Sequence, residues 1–254
     1  MNGVKLSDIT AYLDGYFDIA NFPDFGGAHN GLQFENSGRV HRVACAVDAG
    51  LCEIEAAAES GADLLIVHHG LYWDIPVPVV AHNYKKIKTL VQADIAVYAM
   101  HLPLDAHPKI GNNALIADAL GLKVVGRCFP HEGHDIGAMV EPPKGGRAEL
   151  EKRLQKIFPQ TYKACAFGSE SPEKIAVCSG SCGDVVAFLK SVGTDTLICG
   201  ELRQRHYVMA QEMGLNLYPC GHCATERFGA QALGKMVGEK FALPCSFIKS
   251  DNPL

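Results

Sequence analysis

The chain has 254 residues, 48% of them hydrophobic and 20% charged, enough to bury the cores of two ordinary domains. Its net charge of -5 gives no general attraction to phosphate backbones or anionic lipid, which disfavours nonspecific nucleic-acid binding. The longest aliphatic run, Leu64-Leu65-Ile66-Val67, falls far short of the roughly 20 apolar residues of a membrane helix. Met1–Asp8 contains no apolar signal segment, so the expectation is a cytoplasmic protein that does not touch the membrane.

A mean hydropathy of +0.04 and 26 glycines suit an α/β protein with many tight turns. Ten cysteines are scattered through apolar segments. Cys45, Cys178 and Cys199 fall inside strand-like runs, where cysteine acts as a small buried hydrophobe, so reduced thiols are expected. Cys220-Gly221-His222-Cys223 is the one CxxC, and no second CxxC completes a four-cysteine zinc site.

In chain order, Ser7 is a candidate N-cap for a helix through Tyr16, followed by a strand over His41–Val47. A helix over Leu51–Ser60, stopped by Gly61, leads to a buried strand Asp63–Val67. Then come a helix Asn83–Gln92, a strand Ile95–Met100, a helix Asn112–Leu120 and a strand Leu122–Arg127. Phe129–Gly146, with Pro130, Pro142, Pro143 and Gly145-Gly146, is the expected boundary between a first α/β domain (1–128) and a second (129–254). The C-terminal segment is expected to interleave the two. The second domain should hold helix Arg147–Ile157, strands Tyr162–Phe167 and Lys174–Cys178, helix Gly183–Ser191 and strand Asp195–Cys199. Helix Arg203–Met213, strand Leu215–Cys220, helix Thr225–Phe241 and strand Cys245–Lys249 complete it. Such alternation favours mainly parallel sheets flanked by helices.

The rhythm also repeats. A shift of 132 positions, taking Val43 to Ile175, lays Val43–Ala46 on Ile175–Cys178 and Gly61–Val67 on Gly193–Cys199 without a gap. With a shorter offset, Val97–Met100 meets Leu217–Cys220. Two related α/β halves follow.

In open α/β sheets, chemistry gathers beyond the carboxyl ends of strands. One expected strand runs into His68-His69-Gly70, a second into His101-Leu102-Pro103-Leu104-Asp105-Ala106-His107, and a third into Gly221-His222-Cys223-Ala224-Thr225-Glu226. Imidazole with carboxylate suits zinc, manganese or iron(II). His222 and Glu226 are spaced i, i+4 and would share a helix face. Each element has a bland counterpart: His-His-Gly in a surface loop, Asp105 in an Asx-turn, His101 bonded to backbone, or Tyr72 and Trp73 packed on the core. His29, His41, His82, His131, His134 and His206 lack an acidic partner at telling spacing and are expected to be structural or superficial. Coincidence at three strand ends favours one composite metal site between the halves.

These segments, with Gly111-Asn112-Asn113 and Asn30-Gly31-Leu32-Gln33, resemble the signatures of the GTP cyclohydrolase 1 type 2 family, the NGG-interacting-factor-like proteins. The resemblance spans nearly the whole chain, in the family's order. It implies a dinuclear centre, two divalent ions (Zn, Fe or Mn) per subunit, held by His68, His69, Asp105, His222 and Glu226, with Glu226 as the bridge. It also implies a toroidal homohexamer. Cys223 stands where many relatives have a second histidine, and Phe228 interrupts a glycine-rich stretch; neither is an implied ligand. The implied reaction opens the guanine imidazole ring of GTP, by metal-bound hydroxide attacking C8 with His101 shuttling protons. No P-loop is present, and Lys85, Lys86, Arg127, Arg203 and Arg205 are scattered rather than gathered into a triphosphate cradle. The alternatives are hydrolysis of another nucleotide or phosphoester, or a metal-binding regulatory protein without turnover.

Overall fold

The structure is a computed structural model and describes residues 3–72 and 78–252; Trp73 lies outside the described residues. The first elements are β1 (Val4–Lys5), α1 (Leu6–Phe17), β2 (Gly31–Phe34), β3 (Arg39–Val40), β4 (Val43–Asp48), α2 (Leu51–Glu59) and β5 (Leu64–His69). They are followed by α3 (Ala81–Ala93), β6 (Ala96–Ala99), α4 (Leu102–Asp105), α5 (Asn112–Ala119), β7 (Val124–His131) and β8 (His134–Val140). Next come α6 (Gly146–Ile157), β9 (Cys165–Ala166), β10 (Ile175–Ser181), a 3-10 helix (Gly183–Val192), β11 (Thr196–Glu201) and α7 (Gln204–Met213). The last are β12 (Asn216–Pro219), α8 (His222–Phe241) and β13 (Cys245–Phe247).

The chain forms two compact α/β units, one of Met1–Leu104 with Gly229–Asp251, the other of Asp105–Phe228 with Asn252–Leu254. In the first, the sheet order is β13-β4-β5-β6-β2, parallel except for the antiparallel edge strand β2. In the second it is β7-β8-β10-β11-β12-β9, with a parallel centre, β10-β11-β12, and antiparallel flanks.

The repeat is present in the hydrogen-bond register. Ala44 pairs with Leu65 in the first sheet and Ala176 with Leu197 in the second, each residue displaced by the same 132 positions. On the next ladder Leu65 pairs with Val97 and Leu197 with Leu217. Because side chains alternate along a strand, one matched pair fixes which face every neighbour occupies. Ala44, Leu65 and Val97 pack with Ile54 of α2 and Leu90 of α3. Ala176, Leu197 and Leu217 pack with Leu189 of the 3-10 helix and Ala210 of α7. On the opposite face of the second sheet, Val177, Ile198 and Tyr218 bury against Ile116 of α5 and Leu154 of α6.

Several expectations are corrected. Lys5, not Ser7, is the N-cap of α1, because β1 runs straight into the helix. Phe129–Gly146, expected to be loop-rich, is largely the β7–β8 hairpin: turn-forming Glu132 and Gly133 separate two strands that pair in register. The segment expected as a strand over Tyr162–Phe167 is extended only at Cys165–Ala166. Cys178 and Cys182 form a disulfide, with Cα atoms 6.3 Å apart, instead of remaining thiols. The turn from the end of β10 into the 3-10 helix brings the two sulfurs together. The other eight cysteines form no disulfide among the described residues. No helix among the described residues is long and apolar enough to cross a membrane.

Candidate metal-binding site

In the first unit, β5 continues through both histidines, and Asp48 of β4 stands opposite His69. Thus His68 and His69 belong to the strand itself and not to a turn beyond it. His101 follows the end of β6, the adjacent parallel strand. The ring centroids are 4.7 Å apart for His68–His69, 5.0 Å for His68–His101 and 5.7 Å for His69–His101. One ring nitrogen of each lies within 4.8 Å of the others, a group able to hold a metal ion.

Each ring is oriented through Nδ1. His68 Nδ1 is 2.9 Å from the Met100 carbonyl, His69 Nδ1 is 2.8 Å from Asp48 Oδ1, and His101 Nδ1 is 2.8 Å from Asp24 Oδ1. Carbonyls and ionised carboxylates only accept, so each Nδ1 carries the proton and donates it. In the neutral ring Nε2 then keeps its lone pair, the tautomer a metal-binding or proton-accepting histidine needs. His68 is fully buried, and burying a charged imidazolium beside two other rings is costly. A cluster of imidazoles, each bonded through Nδ1 to an oxygen, suits a cation.

Asp24 is the most elaborately held of the three acceptors. Its Oδ1 accepts from Phe25 N at 2.7 Å and from His101; its Oδ2 accepts from Asn30 Nδ2 at 2.8 Å and Leu102 N at 3.0 Å. Burial raises its pKa, but the His101 hydrogen bond and charge, with the Asn30 and Phe25 donors, outweigh burial and hold it below the ordinary value. Asn30 Oδ1 also accepts from His101 N at 2.6 Å, tying the segment before β2 to the end of β6. Gln33 accepts from Leu71 N at 2.6 Å and donates to the His29 carbonyl at 2.6 Å, which fixes the chain just past His69.

In the second unit, His222 and Glu226 occupy the first turns of α8, the i, i+4 arrangement expected, with Nε2 3.1 Å from Glu226 Oε1. His222 Nδ1 lies 3.3 Å from Glu201 Oε1, at the end of β11. Burial pulls the His222 pKa down, but hydrogen bonds and charge from buried Glu226 and from Glu201 prevail and raise it to about 9. Asp105 is also buried; its Oδ1 accepts from Asn112 Nδ2 at 2.8 Å and from Ser179 Oγ at 2.7 Å. Asn113 Oδ1 accepts from Ser179 N at 2.7 Å.

The next residue, Gly180, donates its N–H to Thr225 Oγ1 at 3.1 Å and sits at φ +66°. A Cβ there would collide with the Glu226 carboxylate and come within 3.3 Å of His222 Nε2. Ser179-Gly180 therefore positions Asp105 on one side and abuts His222 and Glu226 on the other. It lies in an irregular register between Cys178 and Ser181, where β10 departs from its ladder with β11.

The structure thus gathers His68, His69 and His101 in one unit, and joins His222 to Glu226 and Asp105 to Ser179 in the other. Sequence spacing missed the orienting residues Asp24, Asp48, Glu201 and Ser179. Glu201 had the strongest available signal, since it ends a strand at the position the repeat aligns with His69. Of the set-aside histidines, exposed His41 lies 3.4 Å from Asp63 and buried His206 accepts from Arg203 N in a capping interaction of α7.

The model of the Duf34/NIF3 (NGG1p interacting factor 3) family matches residues 4–253. The chain is 38% identical over 242 residues to a Deinococcus radiodurans protein named "GTP cyclohydrolase 1 type 2 homolog", covering 95% of this chain and 91% of that one. It is 34% identical to a Pyrococcus abyssi protein of the same name, covering 99% and 100%. A solved structure from Thermus thermophilus superposes with a TM-score of 0.85 at 33% identity, covering 99% of this chain and 100% of that one. The chain belongs to the Duf34/NIF3 family.

Proposed function

We propose that the chain is a divalent-metal-dependent hydrolase, with His68, His69, Asp105, His222 and Glu226 as ligands of two cations per subunit. The observation that carries this reading is the common orientation of three imidazoles, each with Nδ1 donating to an oxygen so that Nε2 is the basic nitrogen. The five donors are imidazole and carboxylate with no thiolate, a set suited to zinc, iron(II) or manganese. Bound cations of this kind supply Lewis acidity and acidify coordinated water.

The protein's own residues supply position and proton transfer. Ser179 and Asn112 fix the Asp105 carboxylate through a single oxygen, and Glu201 aligns the His222 ring. His101, backed by Asp24, has the geometry of an oriented base and is assigned the proton shuttle at Nε2. For substrate we propose the guanine ring of GTP, whose hydrolytic opening needs a proton delivered to the departing ring nitrogen. Support for this choice comes from the names of the relatives. Assembly as a homohexamer belongs to the same reading, and light scattering at micromolar concentration tests it.

The deciding experiment is metal analysis followed by incubation of the zinc-, iron- or manganese-loaded protein with GTP and a panel of other nucleotides. Formate release from GTP is expected, abolished in His68→Ala and Glu226→Ala variants that retain their circular dichroism. Phosphate release without formate would replace the ring-opening reaction with phosphoester hydrolysis. A protein that holds metal but turns over no member of the panel would overturn the enzymatic reading.

A further inference from the structure

The Cys178–Cys182 disulfide encloses Ser179, Gly180 and Ser181, and no part of the proposed chemistry uses it. The enclosed residues form the irregular step of β10. Cys178 pairs with Cys199 and Ser181 with Glu201, so Ser179 and Gly180 together stand opposite Gly200 alone. One extra residue in a strand is a bulge, which bends the strand and re-aims its side chains. The disulfide ties one side of that bulge to the other.

What the bulge aims is the support of Asp105. Ser179 Oγ donates to Asp105 Oδ1 at 2.7 Å, and Ser179 N donates to Asn113 Oδ1 at 2.7 Å. Gly180 N donates to Thr225 Oγ1 at 3.1 Å. A Cβ on Gly200 would collide with the Gly180 backbone, so the bulge also rests directly on β11. These contacts require the bulge to hold its shape, and the disulfide is the covalent tie across it.

The same turn accommodates the reduced pair. Cys182 Sγ lies 3.1 Å from the carbonyl oxygens of both Cys178 and Ser179. Once the sulfur–sulfur bond opens, a Cys182 thiol has an acceptor within reach, and no buried donor is stranded. Both sulfurs are buried, in a cluster with Val186, Leu189 and Cys199, while Ser181 between them is exposed. The pair lies just beneath the surface.

We propose that Cys178 and Cys182 are a reversible dithiol–disulfide couple that exchanges with low-molecular-weight thiols, its oxidised form locking the Ser179-Gly180 bulge and its reduced form loosening the hold on Asp105. A small thiolate attacks one sulfur of the pair. The Cys178–Cys182 bond breaks as a mixed disulfide forms, and the departing protein thiolate takes a proton from water. A second small thiolate then attacks the attached small sulfur, which leaves as a small disulfide, and the freed cysteine is protonated in turn. The protein pair gains the two electrons that the two small thiols lose. The consequence for metal affinity rests on the reading of Asp105 as a ligand; the couple and its grip on the bulge do not.

The full chain is equilibrated with reduced or oxidised dithiothreitol, alkylated with iodoacetamide and mapped by peptide mass, and parallel samples are read by amide hydrogen exchange. Cys178 and Cys182 are expected to pass together between bonded and alkylated states in both directions. In the reduced form the Ser179 and Gly180 amides should exchange about tenfold faster, with peptides from Val43–Val67 unchanged. Cys182→Ser, which keeps a donor for the same two carbonyls, should show the faster exchange under both conditions. Zinc affinity should be about tenfold lower in the reduced chain. A difference in exchange with equal zinc affinity supports the couple and counts against Asp105 as a ligand. Reduction that leaves Ser179 and Gly180 exchange unchanged overturns the proposal, as does a pair that stays bonded, or stays open to alkylation, under both conditions. Neither comparison needs a variant to fold.

Discussion

Tyr98 and Tyr218 hold the same place in the two halves of the chain. Tyr98 pairs with Ile66 and Tyr218 with Ile198, each is fully buried, and each hydroxyl donates to a carboxylate on the helix that precedes its run of parallel strands. The acceptors are Asp14 of α1 at 2.8 Å and Glu151 of α6 at 3.0 Å. The order α1-β2-β4-α2-β5-α3-β6 therefore has its counterpart in α6-β9-β10, the 3-10 helix, β11-α7-β12. In both, the antiparallel edge strand comes from earlier in the chain and pairs with the strand that bears the tyrosine.

This equivalence predicts matched energetics. Tyr98→Phe and Tyr218→Phe each remove one hydroxyl that bonds to a carboxylate, while leaving the buried ring in place. Each should cost about 1–2 kcal/mol in urea unfolding, since the acceptor can recover water at the partly exposed helix surface. A loss confined to one of the two would mean that the tyrosines are alike in position but not in role.

Gly180 carries a more local prediction. Its φ of +66° already disfavours a side chain, and the space for a Cβ is taken by the Glu226 carboxylate. Gly180→Ala should cost about 1–2 kcal/mol in backbone strain. It should also lower bound zinc more than Ala substitution at Gly133, a positive-φ glycine with open space around its Cβ position. Equal zinc content in the two variants would separate Gly180 from metal binding.

Much of this arrangement was legible in the sequence because it depends on local period. Apolar runs marked the parallel strands, Gly61 marked a helix end through left-handed geometry, and the gapless shift foretold a shared register. The i, i+4 spacing of His222 and Glu226 placed them on one helical turn. The orienting shell was not legible, for a physical reason. Asp24 meets His101 across 77 residues and Ser179 meets Asp105 across 74, so neither pairing leaves a periodic trace. The two-residue strands β1, β3 and β9 were equally hidden or blurred, since a pair of extended residues is too short for alternation to be seen.

Asp24 should make stability sensitive to acid. Its pKa is held below the ordinary 3.8 in the folded chain, so the unfolded chain binds its proton first as pH falls. Its stabilising contribution is therefore complete well above pH 3.8 and is lost as pH drops through the lower folded value. Asp24→Asn should flatten the fall of the urea midpoint between about pH 5 and pH 3 and should weaken alignment of His101. If the enzymatic reading holds, the same variant should lower kcat more than KM. An unaltered acid limb in Asp24→Asn would remove Asp24 from this account.

His222 predicts opposite pH trends for stability and metal binding. In the metal-free chain its pKa is raised from 6.5 to about 9 because Glu226 and Glu201 together outweigh burial. The sign follows from linkage: the folded chain keeps a proton that the unfolded chain loses first, so the stabilisation is complete below pH 6.5 and disappears as pH rises through about 9. A cation must displace that proton to reach the ring nitrogen, so affinity should increase as the metal-free protein weakens. Zinc titrations should show up to about tenfold tighter binding per pH unit across this window, accompanied by proton release. Buffers of different ionisation enthalpy, used in calorimetry, count the proton directly. Glu201→Gln removes one of the two charges that hold it and should lower the His222 pKa, reducing both slopes. Zinc binding that is independent of pH from 6.5 to 9 and releases no proton would show that His222 is not a ligand.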